Sequence, residues 1–126
     1  DAMRMSPDYL IVGEVRDGQA AMALLRAMMT GHAGACTLHA DSPAEALGRL
    51  STLLGSDKGV TPADATRMIA ASIDLLVQIR IVDEVRRATA IARVGKDEPE
   101  LLWRFDENST PERPLWHRVV EKEIKV

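Results

Sequence analysis

Cysteine occurs once in this chain, at Cys36, so an internal disulfide is impossible and zinc sites built from Cys-x-x-Cys pairs are excluded. A reducing compartment fits that usage best. Long apolar runs are missing too: nothing approaches the roughly 20 consecutive residues needed to cross a bilayer, and the amino terminus has no basic-then-apolar signal pattern. Membrane insertion is therefore not expected, and any membrane association would run through partners. A third absence is a block of positive charge. Charged residues make up 28% of the chain and the net charge is −3, which leaves no electrostatic footprint for direct binding of DNA or RNA. Internal repeats and low-complexity tracts are also lacking. What is present is 126 residues with 46% hydrophobic content, the size and composition of one ordinary domain with one core.

After the break at Ser6-Pro7, YLIV (Tyr9–Val12) is short, apolar and β-branched, the pattern of a buried strand that stops at Gly13 and leaves Glu14 at its carboxyl end. Asp17 is the N-cap expected for a helix reaching Met29, whose apolar residues Ala21, Leu24, Leu25 and Met28 fall on one stripe; Gly31 marks its end. ACTLHA (Ala35–Ala40) is too brief for a helix and falls where a crossover returns to the sheet, so it predicts a second parallel strand with His39 at its carboxyl end. SPAE (Ser42–Glu45) supplies an N-cap serine, a proline at the first helical position and a capping-box glutamate. Leu47, Leu50 and Leu54 form that helix's apolar stripe and Gly55 closes it, with GSDKG as a loop. TPAD (Thr61–Asp64) repeats the device ahead of Ala65, Met68, Ile69 and Ile73.

From Leu75 the period changes to two. Val77, Ile79 and Ile81 alternate with Gln78 and Arg80, Asp83-Glu84 permits a turn, and RRATAIARV returns as the second arm of an antiparallel hairpin. ELLWRF (Glu100–Phe105) predicts a third strand, and NSTPERP (Asn108–Pro114) is a polar, proline-bearing loop before a last segment of undefined type. The fold class is α/β: parallel strands with flanking helices, then a C-terminal antiparallel hairpin or meander. Met3, Met5, Met22, Met28, Met29 and Met68 read as core filling, not as a cofactor box.

In open parallel sheets ligands bind beyond the carboxyl ends of the strands, so Glu14 and His39 face one crevice. Alternation puts Thr37 and His39 on one face of the second strand, with Cys36 and Leu38 on the other. A carboxylate at such a place can hold Mg²⁺ through water or orient an attacking water in a nucleoside triphosphatase, and a nearby histidine donor can read a γ-phosphate. Each residue also has a blander reading. Glu14 can be a strand-end carboxylate paired with Arg16, Arg16 and Asp17 can serve the helix start, and His32 can satisfy the helix end beside Gly31. A transition-metal site on His32 and His39 lacks a third ligand, because Cys36 points to the face opposite His39 and no carboxylate is suitably spaced. His117 lies outside all of these patterns and reads as surface.

PDYLIVGEVRD followed by TGHAGACTLHA resembles the Walker B motif and His box of the type II/type IV secretion ATPases, above all their CpaF-like branch. The likeness continues through SPAEALGRL and the VQIRIV and RRATAIARV arms. In that family the Walker B motif ends in Gly-Glu, matched here by Gly13-Glu14. The resemblance implies a partial RecA-like P-loop NTPase domain over residues 1–95 and a C-terminal extension, strand plus loop, over 96–126. It implies a homo-hexameric motor that couples ATP hydrolysis to protein secretion or pilus assembly, with ATP and Mg²⁺ as ligands. Secretion or pilus platform proteins of the inner membrane would be its partners, and its place would be cytoplasmic, peripheral to that membrane. Glu14 would be the catalytic residue and would hold Mg²⁺ through water. Gly13, Thr30, Gly31, His32, Thr37 and His39 would be nucleotide contacts, the histidines near the phosphates in a subunit interface.

The family's phosphate loop, GxxxxGK followed by Ser or Thr, and its acidic Asp box stand upstream of Walker B, and neither occurs in these residues. The expectation is a fragment of the motor that is inactive by itself. GEVRDG (Gly13–Gly18) has the glycine spacing of a phosphate loop, but Gln19-Ala20 stands where Lys-Ser/Thr is required. The alternative, from another class, is a stand-alone non-catalytic interaction module that keeps the fold without nucleotide.

Overall fold

A computed structural model describes residues 8–56, 59–96 and 98–105, and the backbone of 116–118. Expectations placed on Met3, Met5, Ser6-Pro7, the middle of the 55–59 loop, the 108–114 loop and the His117 side chain fall outside the described residues. Instead of the single unit expected from length, the chain forms two compact units, Asp1–Asp74 and Leu75–Val126.

The first unit begins with β1 (Tyr9–Val12), α1 (Gly18–Met29) and β2 (Ala33–Cys36), a β–α–β arrangement in which the two strands pair in parallel, Tyr9 with Ala33 through Val12 with Cys36. Strand β1 occupies the expected residues, yet it is not buried: Tyr9 is 73% and Ile11 77% exposed. A parallel strand is buried on both faces only when both carry helices; alternate side chains of β1 instead face outward among the described residues. Strand β2 differs from expectation as well. It spans Ala33–Cys36, so Thr37 and His39 lie beyond it and the strand alternation does not govern their directions.

Local chemistry sets the helix ends. Asp17 Oδ1 accepts from the Ala20 amide at 2.8 Å, as an N-cap does. At the other end Gly31 has φ +91°, its amide donates to Met28 O and that of His32 donates to Ala27 O, the pair of bonds of a Schellman stop. Helix α2 (Pro43–Gly55) is capped by Ser42, but Glu45 reaches past the cap to accept from the Asp41 amide at 3.0 Å, so the expected reciprocal box does not close. It does close on α3 (Pro62–Ser72), where Thr61 and Asp64 exchange both bonds. The three helices pack on one another around Ala21, Met22, Leu24, Leu25, Leu50, Leu54, Ala65 and Ile69. Met29, expected in the core, ends α1 and is half exposed. Gly18 is required where α1 meets α2, because a Cβ there would collide with Leu53 O and Ser56 Oγ. One glycine of the false phosphate loop is thus a packing glycine.

The second unit is the antiparallel sheet β3 (Leu75–Val82), β4 (Val85–Arg93), β5 (Glu100–Phe105) and β6 (Trp116–Arg118), in that spatial order. The hairpin turns at Asp83 and Glu84, both at positive φ, with Val82 opposite Val85. Thr89 is an extra residue in β4, since Gln78 pairs with Ala90 and Ile79 with Ala88. Ala90, Ala92 and Leu102 are buried, whereas the alternating Leu75, Val77, Ile79 and Ile81 are all more than half exposed.

Candidate functional site

The site is assembled where β1 and β2 end. Beyond Val12 and Cys36 the chains stay linked: the Val15 amide donates to Thr37 O at 3.0 Å and Thr37 Oγ1 donates to Gly13 O. Val15 is buried, which pins the backbone on both sides of Glu14. The Glu14 side chain is 25% exposed and both of its oxygens are engaged. Oε2 accepts from Arg16 Nε at 2.6 Å and lies 2.6 Å from Arg16 Nη2 in an ion pair, and Oε1 lies 3.3 Å from His39 Nε2.

The electrostatics follow from these contacts. The Arg16 guanidinium bonded to Glu14 holds its carboxyl below the usual value, against a smaller opposing effect of burial, with further charge from His39 and Arg49. Arg16 is in turn raised by Glu14. Glu14 is therefore a firmly ionised carboxylate, suited to holding a cation or orienting water and poorly suited to accepting a proton near neutrality. Cys36 is half-buried and burial pushes its thiol up, which makes it a poor thiolate.

Thr30, Gly31 and His32 form a separate arrangement. Thr30 Oγ1 donates to Ala27 O at 2.8 Å, so it accepts from His32 Nδ1 at 3.2 Å. This assigns the Nδ1–H tautomer to neutral His32 and leaves Nε2 as an acceptor. The strand register puts His32 before the start of β2 and Glu14 past the end of β1, roughly 20 Å apart at about 3.3 Å per residue. Gly13, Glu14, Thr37 and His39 are thus brought together, and Thr30, Gly31 and His32 gather at the opposite edge of the strands.

Arg16 makes the pairing with Glu14 that the sequence offered as the blander reading of that carboxylate. One residue acquires a part that the sequence did not assign. Arg49 on α2 donates from Nη1 to His39 O at 3.0 Å. Nothing in the pattern of α2 distinguishes Arg49 from a solubilising arginine, because its role depends on a loop ten residues earlier. Among the described residues no three His, Cys, Asp or Glu side chains converge on one point as a metal cage, and no helix is long and apolar enough to cross a membrane.

The sequence profile of the family described as "Type II/IV secretion system protein" matches residues 1–114. The probable conjugal transfer protein TrbB of Sinorhizobium fredii is 39% identical over 95 residues, 75% of this chain and 28% of that protein. The type II secretion system protein E of Pectobacterium carotovorum is 47% identical over 60 residues, 48% of this chain and 11% of that one. Among solved structures, the ATPase DotB of Legionella pneumophila superposes with a TM-score of 0.59 at 36% identity, covering 69% of this chain and 24% of DotB. The VirB11 ATPase of Brucella suis superposes with a TM-score of 0.66 at 19% identity, covering 73% of this chain and 30% of VirB11, a likeness of fold. The chain spans less than a third of the length of each of these four relatives.

Proposed function

The chain belongs to the type II/IV secretion system protein family, and from that premise we propose that it is the Walker B and His box part of a hexameric, CpaF-like motor that couples ATP hydrolysis to secretion or pilus assembly. The observation that carries this reading is the ionised Glu14 carboxylate beyond the end of a parallel strand, with the His39 imidazole on its second oxygen. Glu14, kept anionic by Arg16, orients the attacking water or holds a Mg²⁺ ion through water. When bound, Mg²⁺ supplies neutralisation of phosphate charge, and one carboxylate is a sufficient protein contribution because this ion keeps several waters. His39 offers its Nε2–H to a terminal phosphate oxygen, which competes with Glu14 for that donor. Gly13 and Thr37 fix the backbone beneath the pair through their own hydrogen bond. Thr30, Gly31 and His32, at the far edge, meet nucleotide from a neighbouring subunit of the ring.

The same reading makes residues 1–95 the motor-derived part and 96–126 an extension. It gives the protein a cytoplasmic position against platform proteins of the inner membrane. The decisive experiment is Glu14→Gln in the full-length protein that carries this segment. Shape is kept and charge removed, so turnover should fall by about 10² to 10⁴ with nucleotide binding retained. Turnover within about threefold of wild type would make Glu14 a structural residue.

A further inference from the structure

We propose that Arg49 is a positioning residue that aims His39 at the terminal phosphate by holding the His39 backbone. The inference rests on the nucleotide-facing reading of Glu14 and His39 and adds to it the part that places the histidine.

His39 stands in a stretch without helix or strand, between Cys36, which ends β2, and Ser42, which caps α2. Its ring is 84% exposed and, among the described residues, meets Glu14 Oε1 at 3.3 Å. With so little packing around the ring, its reach is set by where the backbone places its Cβ, and its direction by the contact with Glu14. Both ends of the stretch are tied. Thr37 is held to Gly13 and Val15, and the Asp41 amide is held by Glu45. The tie at His39 itself is the Arg49 Nη1–H on its carbonyl at 3.0 Å.

Arg49 is equipped for this. Its neighbour Leu50 is buried, and so is Leu54 one turn on, so the backbone under Arg49 is fixed to the helical core. The planar guanidinium then ties the carbonyl to α2, its pre-organised fork losing less freedom per hydrogen bond than an ammonium does. A lysine can make one such bond from a more mobile ammonium, whereas alanine makes none.

Two measurements test the proposal. In the full-length protein without nucleotide, NMR order parameters of the residue 38–40 amides should fall in Arg49→Ala and recover largely in Arg49→Lys, with α2 amides unchanged. Unchanged order at His39 in the alanine variant, or equal loosening throughout α2, overturns the positioning role without reference to nucleotide.

In the assembled full-length protein, Arg49→Ala should lower ATP turnover about tenfold in the wild-type background and less than about twofold in a His39→Ala background. Residues acting as one unit do not add. Full multiplication of the two losses would mean that Arg49 acts independently of His39, by touching the anion itself or by supporting the fold, and overturns the proposal. Arg49→Lys separates loss of the tie from failure to fold, since it retains the donor. If Glu14→Gln keeps turnover near wild type, the nucleotide reading fails, and the order parameters alone still decide whether Arg49 holds His39.

Discussion

His32 and His39 belong to one short segment and end in unlike surroundings. His32 bonds to Thr30, two residues away, at the closing turn of α1. His39 meets Glu14, which comes from the other strand, and its backbone is held by Arg49 from the next helix. The first contact can form in any chain that makes the helix and stops it at Gly31. The second exists only when β1, β2 and α2 are all in place. Histidines of one motif thus differ in kind: one is a local cap, the other a junction of three elements, and only the junction shares a site with a firmly ionised carboxylate.

The strongest way to break this comparison is to remove each histidine in the assembled full-length protein. A hydrogen bond to a charged group contributes about 1.5 to 3 kcal/mol, so His39→Ala should weaken binding of a non-hydrolysable ATP analogue roughly ten- to hundredfold and leave ADP binding within about twofold. His32→Ala should leave the ratio of the two affinities unchanged. Equal losses for both nucleotides in the His39 variant would assign His39 to packing. A selective loss of analogue binding in the His32 variant would put both histidines at the phosphates.

The glycines beside the two histidine environments sharpen it. Gly31 has φ +91°, so Gly31→Ala forces a left-handed alanine and should destabilise the fold by about 1 to 2 kcal/mol, a shift of a few degrees in Tm. Gly13 has open space where a Cβ would stand, so Gly13→Ala should change stability by less than about 0.5 kcal/mol. Thermal melts of both variants check the pair. Equal destabilisation would erase the distinction between a structural glycine at the helix stop and a free one beside Glu14.

The smallest expected effect is in the acid range. The Arg16 bond depresses the Glu14 pKa below its ordinary value of 4.5, so the pairing stabilises the fold above that pH and its contribution is lost as pH falls through the depressed value. Urea unfolding of wild type and Glu14→Gln should therefore differ by a constant amount from pH 7 to about 5 and converge on further acidification. Convergence already between pH 7 and 6 would show that Arg16 does not hold the carboxylate in its ionised form. The exposed His32 end of the sheet should show no dependence on this substitution.

How legible each feature was depends on the distance its cause spans along the chain. Strands β1 and β5 and the three helices stand where apolar periodicity and capping residues put them, because Asp17, Ser42 and Thr61 act on amides three residues away. The Thr61–Asp64 box closed as expected, whereas Glu45 chose the Asp41 amide, an alternative at nearly the same reach that spacing does not distinguish. Alternation in Leu75–Val82 identified a strand with two unlike faces. It carried no information on which face would be covered, and the apolar one is exposed.

Read alone, the order of amino acids specified the type and order of the elements as far as β5, the helix stop at Gly31 and the family to which the chain belongs, because periodicity, caps and motif spacing act over a few residues. Folding in three dimensions settled that β2 ends at Cys36, that His39 joins Arg16 on the Glu14 carboxylate, that Arg49 reaches the His39 carbonyl, and that Gly18 is needed for a helix crossing. Each of these is a contact whose worth depends on where a separate stretch of chain comes to rest. A hydrogen-bond donor or a missing Cβ has no assigned partner until the backbone has closed around it.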